Sequence, residues 1–298
     1  MQIQSAPLRT KRVTQGCAPC SWRRASRIVY LPFTLQHLFL PMYPMICMLQ
    51  DQQIGVTALG ICLAFGSLAA LSLLQVALTD AGGVSLSWDQ AVRCAAHPSY
   101  SLCVHSGQYK PPRAHYDVIT RRIVLNFDHF CPWVVNSIGF LNRKFFILFL
   151  IYMTITSFII LCILGPHATT ALQMPPEGVT MDIPMLMTLW SVASHALVIA
   201  PLILFTGAHI YMACMNETSI EDKVASMPYN HGIFSNLQSV FGESPWTWPL
   251  PFWGWGPLGD GIHWQGVGST IYGDAQPGTR DIVAEPLLPT PGSCRRVT

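Results

Sequence analysis

The sequence predicts an α-helical polytopic membrane protein, with four transmembrane helices and a small cytosolic domain between the second and third. Three observations predict this. Of the 298 residues, 51% are hydrophobic and only 11% are charged, against roughly a quarter charged in soluble domains. Four stretches, 28–49, 54–79, 145–165 and 185–214, reach the roughly 20 apolar residues that a bilayer crossing needs. All 17 Lys and Arg lie in residues 1–27, in 80–144 or beyond 214, and the links 50–53 and 166–184 carry none. The positive-inside rule then puts both termini and the long connector in the cytosol. A net charge of +2 gives no field of the kind that draws nucleic acid.

Residues 1–27 are polar and basic. The apolar stretch that follows is longer than the core of a signal peptide, so this segment reads as a cytosolic tail rather than a cleaved leader. Cys17 and Cys20 within it read as tail cysteines, with juxtamembrane acylation as the sharper option. The first span contains Pro32, Pro41 and Pro44, which a span tolerates when neighbours satisfy the freed backbone groups. The second and third spans are uninterrupted. The fourth carries His195 and His209, each either a functional group or a helix-packing contact.

The connector, 80–144, is too long for a plain link. It reads as short extended pieces and turns with too few apolar residues for a core of its own. It must therefore dock on the spans, be stapled by metal, or both. Residues 215–264 form a further cytosolic region. There Thr218 and Glu221 have the spacing of a capping box, 228–242 is amphipathic, and Trp246, Trp248, Trp253, Trp255 and Trp264 suggest an interfacial surface. The Pro- and Gly-rich 265–298 reads as a disordered tail.

The chemistry sits at 126–146, NFDHFCPWVVNSIGFLNRKFF, which opens directly into the third span. Asp128, His129 and Cys131 supply a carboxylate, a base and a thiol within four residues. A thiolate is the nucleophile, a nearby His can take its proton, and a carboxylate fixes that His in the useful tautomer. On a helix, residues two apart do not face each other. Pro132 biases Cys131 away from helical dihedrals, so the segment is expected to be a turn that lets His129 reach Cys131. Trp133 is placed to form an apolar wall. A thiol at the cytosolic membrane face can meet an acyl chain held among the spans and a thioester head in the cytosol.

These residues resemble the DHHC protein S-acyltransferases (palmitoyltransferases). DHFCPW at 128–133 matches the family's DHHCPW except for Phe130, and VVNSIGFLNRKFF at 134–146 matches the segment after it. KPPRAH at 110–115 matches the family's upstream segment, TSIE at 218–221 its TTxE motif, and 228–242, with Tyr229, Gly232 and Asn236, its C-terminal motif. The resemblance covers roughly 28–264 and includes the four-span layout. It implies a protein S-acyltransferase: Cys131 takes a fatty acyl (palmitoyl) group from acyl-CoA as a thioester, His129 acts as general base, Asp128 orients it, and the acyl group passes to a client protein. It further implies fatty acyl-CoA, the lipid bilayer and clients with cytosolic juxtamembrane cysteines as partners. The implied location is an endomembrane (ER or Golgi) or the plasma membrane, and the TTxE-like and Asn236 motifs are structural contacts.

The sequence departs from the family at its two structural zinc sites. The first set of positions holds Cys103, Ser106, Tyr116 and Ile123, and the second holds Asp117, Thr120, Phe130 and Ser137. Structural zinc wants four N or S donors, so no zinc and no other bound cofactor is expected. An improvised site of Cys94, His97, Cys103 and His105 has no usual spacing. Tyr116, Ile123 and Phe130 are bulky enough to replace a metal by packing. The alternative reading is a non-catalytic family member acting as a membrane scaffold or partner subunit. A four-span channel or transporter is disfavoured, because the spans lack charged residues of the kind an ion path uses.

Overall fold

The computed structural model describes residues 26–95, 100–173, 182–221, 229–252 and 256–264. The basic tail with Cys17 and Cys20, His97, and the segment 265–298 lie outside them. Among the described residues, three helices are long and apolar enough to cross a membrane: α3 (Val56–Leu78), α5 (Arg143–Gln173) and α6 (Ile183–Met215). They match the second, third and fourth expected spans to within a few residues, apart from the far end of α5. There the helix continues through Pro166 to Gln173. Asp182 caps α6, accepting from Met185 N at 2.9 Å, the ordinary use of a short carboxylate at a helix start.

The first expected span is not one helix. A π-turn at Ser26–Tyr30 leads into α1 (Leu31–Phe39), and a break at Leu40–Pro41 precedes α2 (Met42–Gln50). At nine residues each, neither piece alone approaches the length of a crossing. The cause lies in the prolines. Pro41 has no N–H to give the carbonyl of His37, four residues back. His195 of α6 lies beside the freed carbonyl, its Nε2 3.2 Å from it and its Nδ1 2.7 Å from Ser191 O, and a neutral ring donates to one of the two. His195 is therefore a packing residue, stacked edge-on to His37 at 4.9 Å.

Helix α5 packs against both α3 and α6. One apolar cluster joins Leu73 and Val76 of α3 and Phe145 to Leu150 of α5 to Cys131, Val134 and Ile138 of the connector. A second seats Met45 and Met48 of α2 against Leu59, Cys62, Ile160 and Leu164.

The connector contains α4 (Leu86–Cys94) and three antiparallel hairpins: β1 (Ser101–Leu102) with β2 (Tyr109–Lys110), β3 (His115–Asp117) with β4 (Arg122–Val124), and β5 (His129–Cys131) with β6 (Asn136–Ile138). It has a small core of Cys103, Ala114, Ile123, Leu125 and Phe140. It also docks on the spans, as its shortage of apolar residues requires. Asn136 closes the end of α3, donating to Val76 O at 2.9 Å and Thr79 O at 2.8 Å. Gly139 is fixed by close approach: a Cβ there would lie 2.6 Å from Val124 Cγ1 and 2.7 Å from Ala81 O.

After α6 the chain turns at Asn216 (φ 53°) and forms α7 (Ile233–Phe241) within the expected amphipathic stretch. No helix starts at Thr218 among the described residues. Glu221 does reach back to Thr218 N at 3.0 Å, but its carboxylate is engaged by Arg113. Among the described residues, the three tryptophans of this region have different surroundings. Trp248 packs against Phe234 and Phe241, Trp264 lies over Arg113, and Trp246 is exposed. Trp253 and Trp255 lie outside the described residues.

Candidate active site

The segment around Cys131 is a strand rather than the expected turn. In β5, residues two apart point to the same face, so the extended backbone brings His129 and Cys131 together. The turn itself follows at Pro132–Val135, with Val135 at φ 57°. Cys131 is buried at 3% exposure in the cluster between β5, β6 and the long helices.

His129 Nδ1 is 2.5 Å from Asp128 Oδ2. With Nδ1–H donated to the carboxylate, Nε2 carries the free lone pair of the neutral ring. That Nε2 is buried and makes no hydrogen bond. Asp128 is itself held on its other oxygen and its carbonyl: Ser219 N donates to Oδ1 at 2.6 Å and Ser219 Oγ to the carbonyl at 3.0 Å. Burial pushes the Asp128 carboxyl up, but the hydrogen bond from His129 and the charge of Arg143 outweigh it and keep the group well below the usual carboxylate range. Burial pushes His129 down. Asp128, followed by Cys131, more than offsets that and raises the imidazole to about 9.

Two side chains from distant segments complete the surroundings. His209 of α6 lies 5.8 Å from His129, 5.0 Å from Phe146 and 4.5 Å from Phe205 between ring centroids. It is the histidine of the fourth span that reaches the site. Arg143 is fully buried at the start of α5, and its Nη2 donates to Glu217 O. Among the described residues, the one group of His, Cys, Asp or Glu placed to hold a metal ion is Asp128, His129 and His209, whose ligand atoms lie within 4.8 Å of one another. No such group includes Cys103 or His105.

Cys131 also opens onto a cavity of about 290 Å³ between the spans. Its walls are Phe33, Thr34 and His37 of α1, Trp133, Phe146 to Met153 on one face of α5, and Val198 to Phe205 on one face of α6. Trp133 is the expected wall, packed at 4.9 Å from Tyr30 and 5.8 Å from Phe33. The thiol therefore sits where the apolar cavity ends and the Asp128–His129 pair begins.

The other motifs are braces. Arg113 of KPPRAH makes a two-pronged contact to Glu221, 2.8 Å on each prong, and also bonds Asn216 Oδ1 at 3.0 Å and Asn216 O at 2.7 Å. Its guanidinium stacks over Tyr229 and Trp264 at 4.5 and 4.2 Å. Asn236, fully buried, donates to Cys214 O at 2.7 Å and to Asn230 Oδ1 at 2.8 Å. Sequence reasoning missed Ser219 and Arg143 as groups that act on Asp128. Their one signal was membership of the TSIE and NRKFF segments.

Residues 97–225 match the family model described as DHHC palmitoyltransferase. Among curated proteins, the chain is 29% identical over 205 residues to probable protein S-acyltransferase 13 of Arabidopsis thaliana, covering 61% of this chain and 67% of that protein. It is 28% identical over 228 residues to probable protein S-acyltransferase 14 of the same plant, covering 66% and 73%. To palmitoyltransferase ZDHHC7 of Rattus norvegicus it is 28% identical over 216 residues, covering 64% and 66%. The chain thus spans about two thirds of the length of these relatives. The matched region contains the KPPRAH brace, the Asp128–His129–Cys131 strand and the TSIE turn that holds Asp128, and over 97–225 the chain carries a region that matches the DHHC palmitoyltransferase domain.

Proposed function

We propose that the chain is a protein S-acyltransferase that moves a fatty acyl group from acyl-CoA to cysteine thiols of client proteins through a thioester on Cys131. The observation that carries this reading is the position of Cys131, with the Asp128-bound His129 on one side and the apolar cavity on the other. His129 Nε2 takes the Cys131 proton, and Asp128 stabilises the imidazolium that results. The thiolate attacks the thioester carbon of acyl-CoA, the carbon–sulfur bond to CoA breaks, and the proton on His129 leaves with the CoA thiol. A client thiol then attacks the acyl-enzyme, with His129 taking its proton and Cys131 leaving as the thiolate. The acyl chain occupies the cavity, whose walls α1, α5 and α6 supply.

In this reading α1 and α2 together make the first of four crossings, and both termini and the connector face the cytosol. The clients present juxtamembrane cysteines on that face of an endomembrane or the plasma membrane. A scaffold reading rests on Phe130 and the altered zinc positions. What supports catalysis over it is the tethering of Asp128 by Ser219 and its bond to His129, which a scaffold does not need.

The test is metabolic labelling with an alkyne fatty acid. The chain is expected to carry a label that hydroxylamine removes and that Cys131→Ser abolishes. Label persisting in Cys131→Ser places acylation on other cysteines and contradicts the reading. The cavity adds a second expectation. Leu202→Trp fills its α6 wall, and each methylene left without burial forfeits about 0.8 kcal/mol, roughly fourfold in binding. Acyl-CoA competition assays should therefore show preference moving from palmitoyl-CoA towards decanoyl-CoA.

A further inference from the structure

The family fold implies two zinc ions, and the residues at their positions do not fit them. Of eight side chains, only Cys103 is a strong soft donor, and a closed tetrahedral site needs four N or S ligands. The structure nevertheless brings the members of each set together. In the second set, Asp117 is 3% exposed and Ser137 is fully buried. Asp117 Oδ2 accepts from Thr120 Oγ1 and from Ser137 Oγ, each at 2.6 Å, and from Thr120 N at 3.2 Å, while Oδ1 accepts from Ile119 N at 2.9 Å. Phe130 lies directly across β5–β6 from Ser137. In the first set, Tyr116 faces Ile123 across β3–β4, and Ile123 and Cys103 share the connector's apolar core. Tyr116 packs on that core with its ring stacked on His105 at 5.1 Å.

We propose that this domain closes without metal, with the Asp117–Thr120–Ser137 knot replacing one zinc ion and the Cys103–Tyr116–Ile123 cluster replacing the other. A buried carboxylate that accepts from two hydroxyls and two amides has its acceptor sites filled, as a buried charge requires. It takes over the geometric task of the metal, fastening the β3–β4 turn to β6. Because β6 is the pairing partner of β5, Asp117 is a positioning residue for His129 and Cys131. Tyr116 and Ile123 do the equivalent by excluding water from a junction that a metal would otherwise bridge.

The experiment uses the full chain purified in detergent, with two readouts that do not depend on acyl transfer: zinc content and the thermal unfolding midpoint with and without 1,10-phenanthroline. The expected result is zinc far below stoichiometric and a midpoint unchanged by chelator. Asp117→Ala should lower the midpoint by roughly 5 °C or more, since it removes several hydrogen bonds to a charged group. If that variant does not yield folded protein, Thr120→Val and Ser137→Ala each remove one hydroxyl bond and should each lower the midpoint by about 2–5 °C. Stoichiometric zinc that disappears in Cys103→Ser, a fall in midpoint on adding chelator, or unchanged midpoints in both hydroxyl variants would each overturn the proposal.

Discussion

Replacing Asp128 by Asn is expected to slow autoacylation of the chain by roughly 10²–10⁴-fold, the range over which a positioned base contributes. The carboxylate does two things in this geometry. It fixes His129 with Nδ1–H pointing inward, leaving Nε2 for the thiol, and it holds the imidazolium up at about 9. An Asn amide can present its N–H to Nδ1 and so select the wrong tautomer. It also carries no charge, so the His129 pKa falls back towards its ordinary value. The proton needed by the departing CoA thiolate is then lost at lower pH. A pH–rate profile should show the alkaline limb near 9 in the parent chain and clearly lower in Asp128→Asn. The linkage to folding has the same sign. A histidine raised to about 9 in the folded state stabilises fully below its ordinary value of about 6.5, and that contribution is lost as pH rises through about 9. An unchanged alkaline limb in the variant would mean that Asp128 does not act on His129.

Arg113→Leu is expected to be among the most destabilising single changes, at about 3–5 kcal/mol, because it strands the Glu221 carboxylate and the Asn216 carbonyl in a largely enclosed junction. The junction ties three segments: the connector through Arg113, the end of α6 through Asn216 and Glu221, and the C-terminal region through Tyr229 and Trp264. Ser219, which holds Asp128, lies between Asn216 and Glu221, so loss of Arg113 should also loosen the catalytic carboxylate. Thermal unfolding in detergent measures the first effect, and autoacylation at a temperature where the variant is folded measures the second. Arg113→Lys should not restore either. An ammonium cannot make the two-pronged contact to Glu221 or stack flat over Tyr229 and Trp264. A Lys variant with the parent midpoint would contradict this account of the brace.

What could be read from sequence was what short-range chemistry and length dictate. The three long helices announce themselves, because about twenty uninterrupted apolar residues leave a chain little alternative. Asp128, His129 and Cys131 are legible because they are neighbours. Their local conformation was not, since a three-residue strand carries too short a pattern for a period of two to emerge beside a proline. The prolines of the first span signalled trouble with helix bonding, but the side chain that lies beside the freed carbonyl of His37 is His195, far along the chain. The same holds for Ser219 on Asp128, His209 beside His129 and Arg113 on Glu221. Each pairing joins residues from separate segments, and no local spacing encodes it. The altered zinc positions were identifiable one by one. That Thr120 and Ser137 gather on the carboxylate of Asp117 follows only from the register of β3–β4 and β5–β6.

The central claim is that Cys131 itself carries the acyl group. The most direct measurement is peptide mass mapping of the purified full chain after incubation with palmitoyl-CoA, with release of free CoA followed in parallel. The predicted result is one palmitoyl group on the peptide containing Cys131, removed by hydroxylamine and matched by an equal amount of CoA. A folded chain that leaves Cys131 unmodified, or that carries the acyl group on another cysteine while Cys131→Ser releases CoA at the parent rate, would contradict the account.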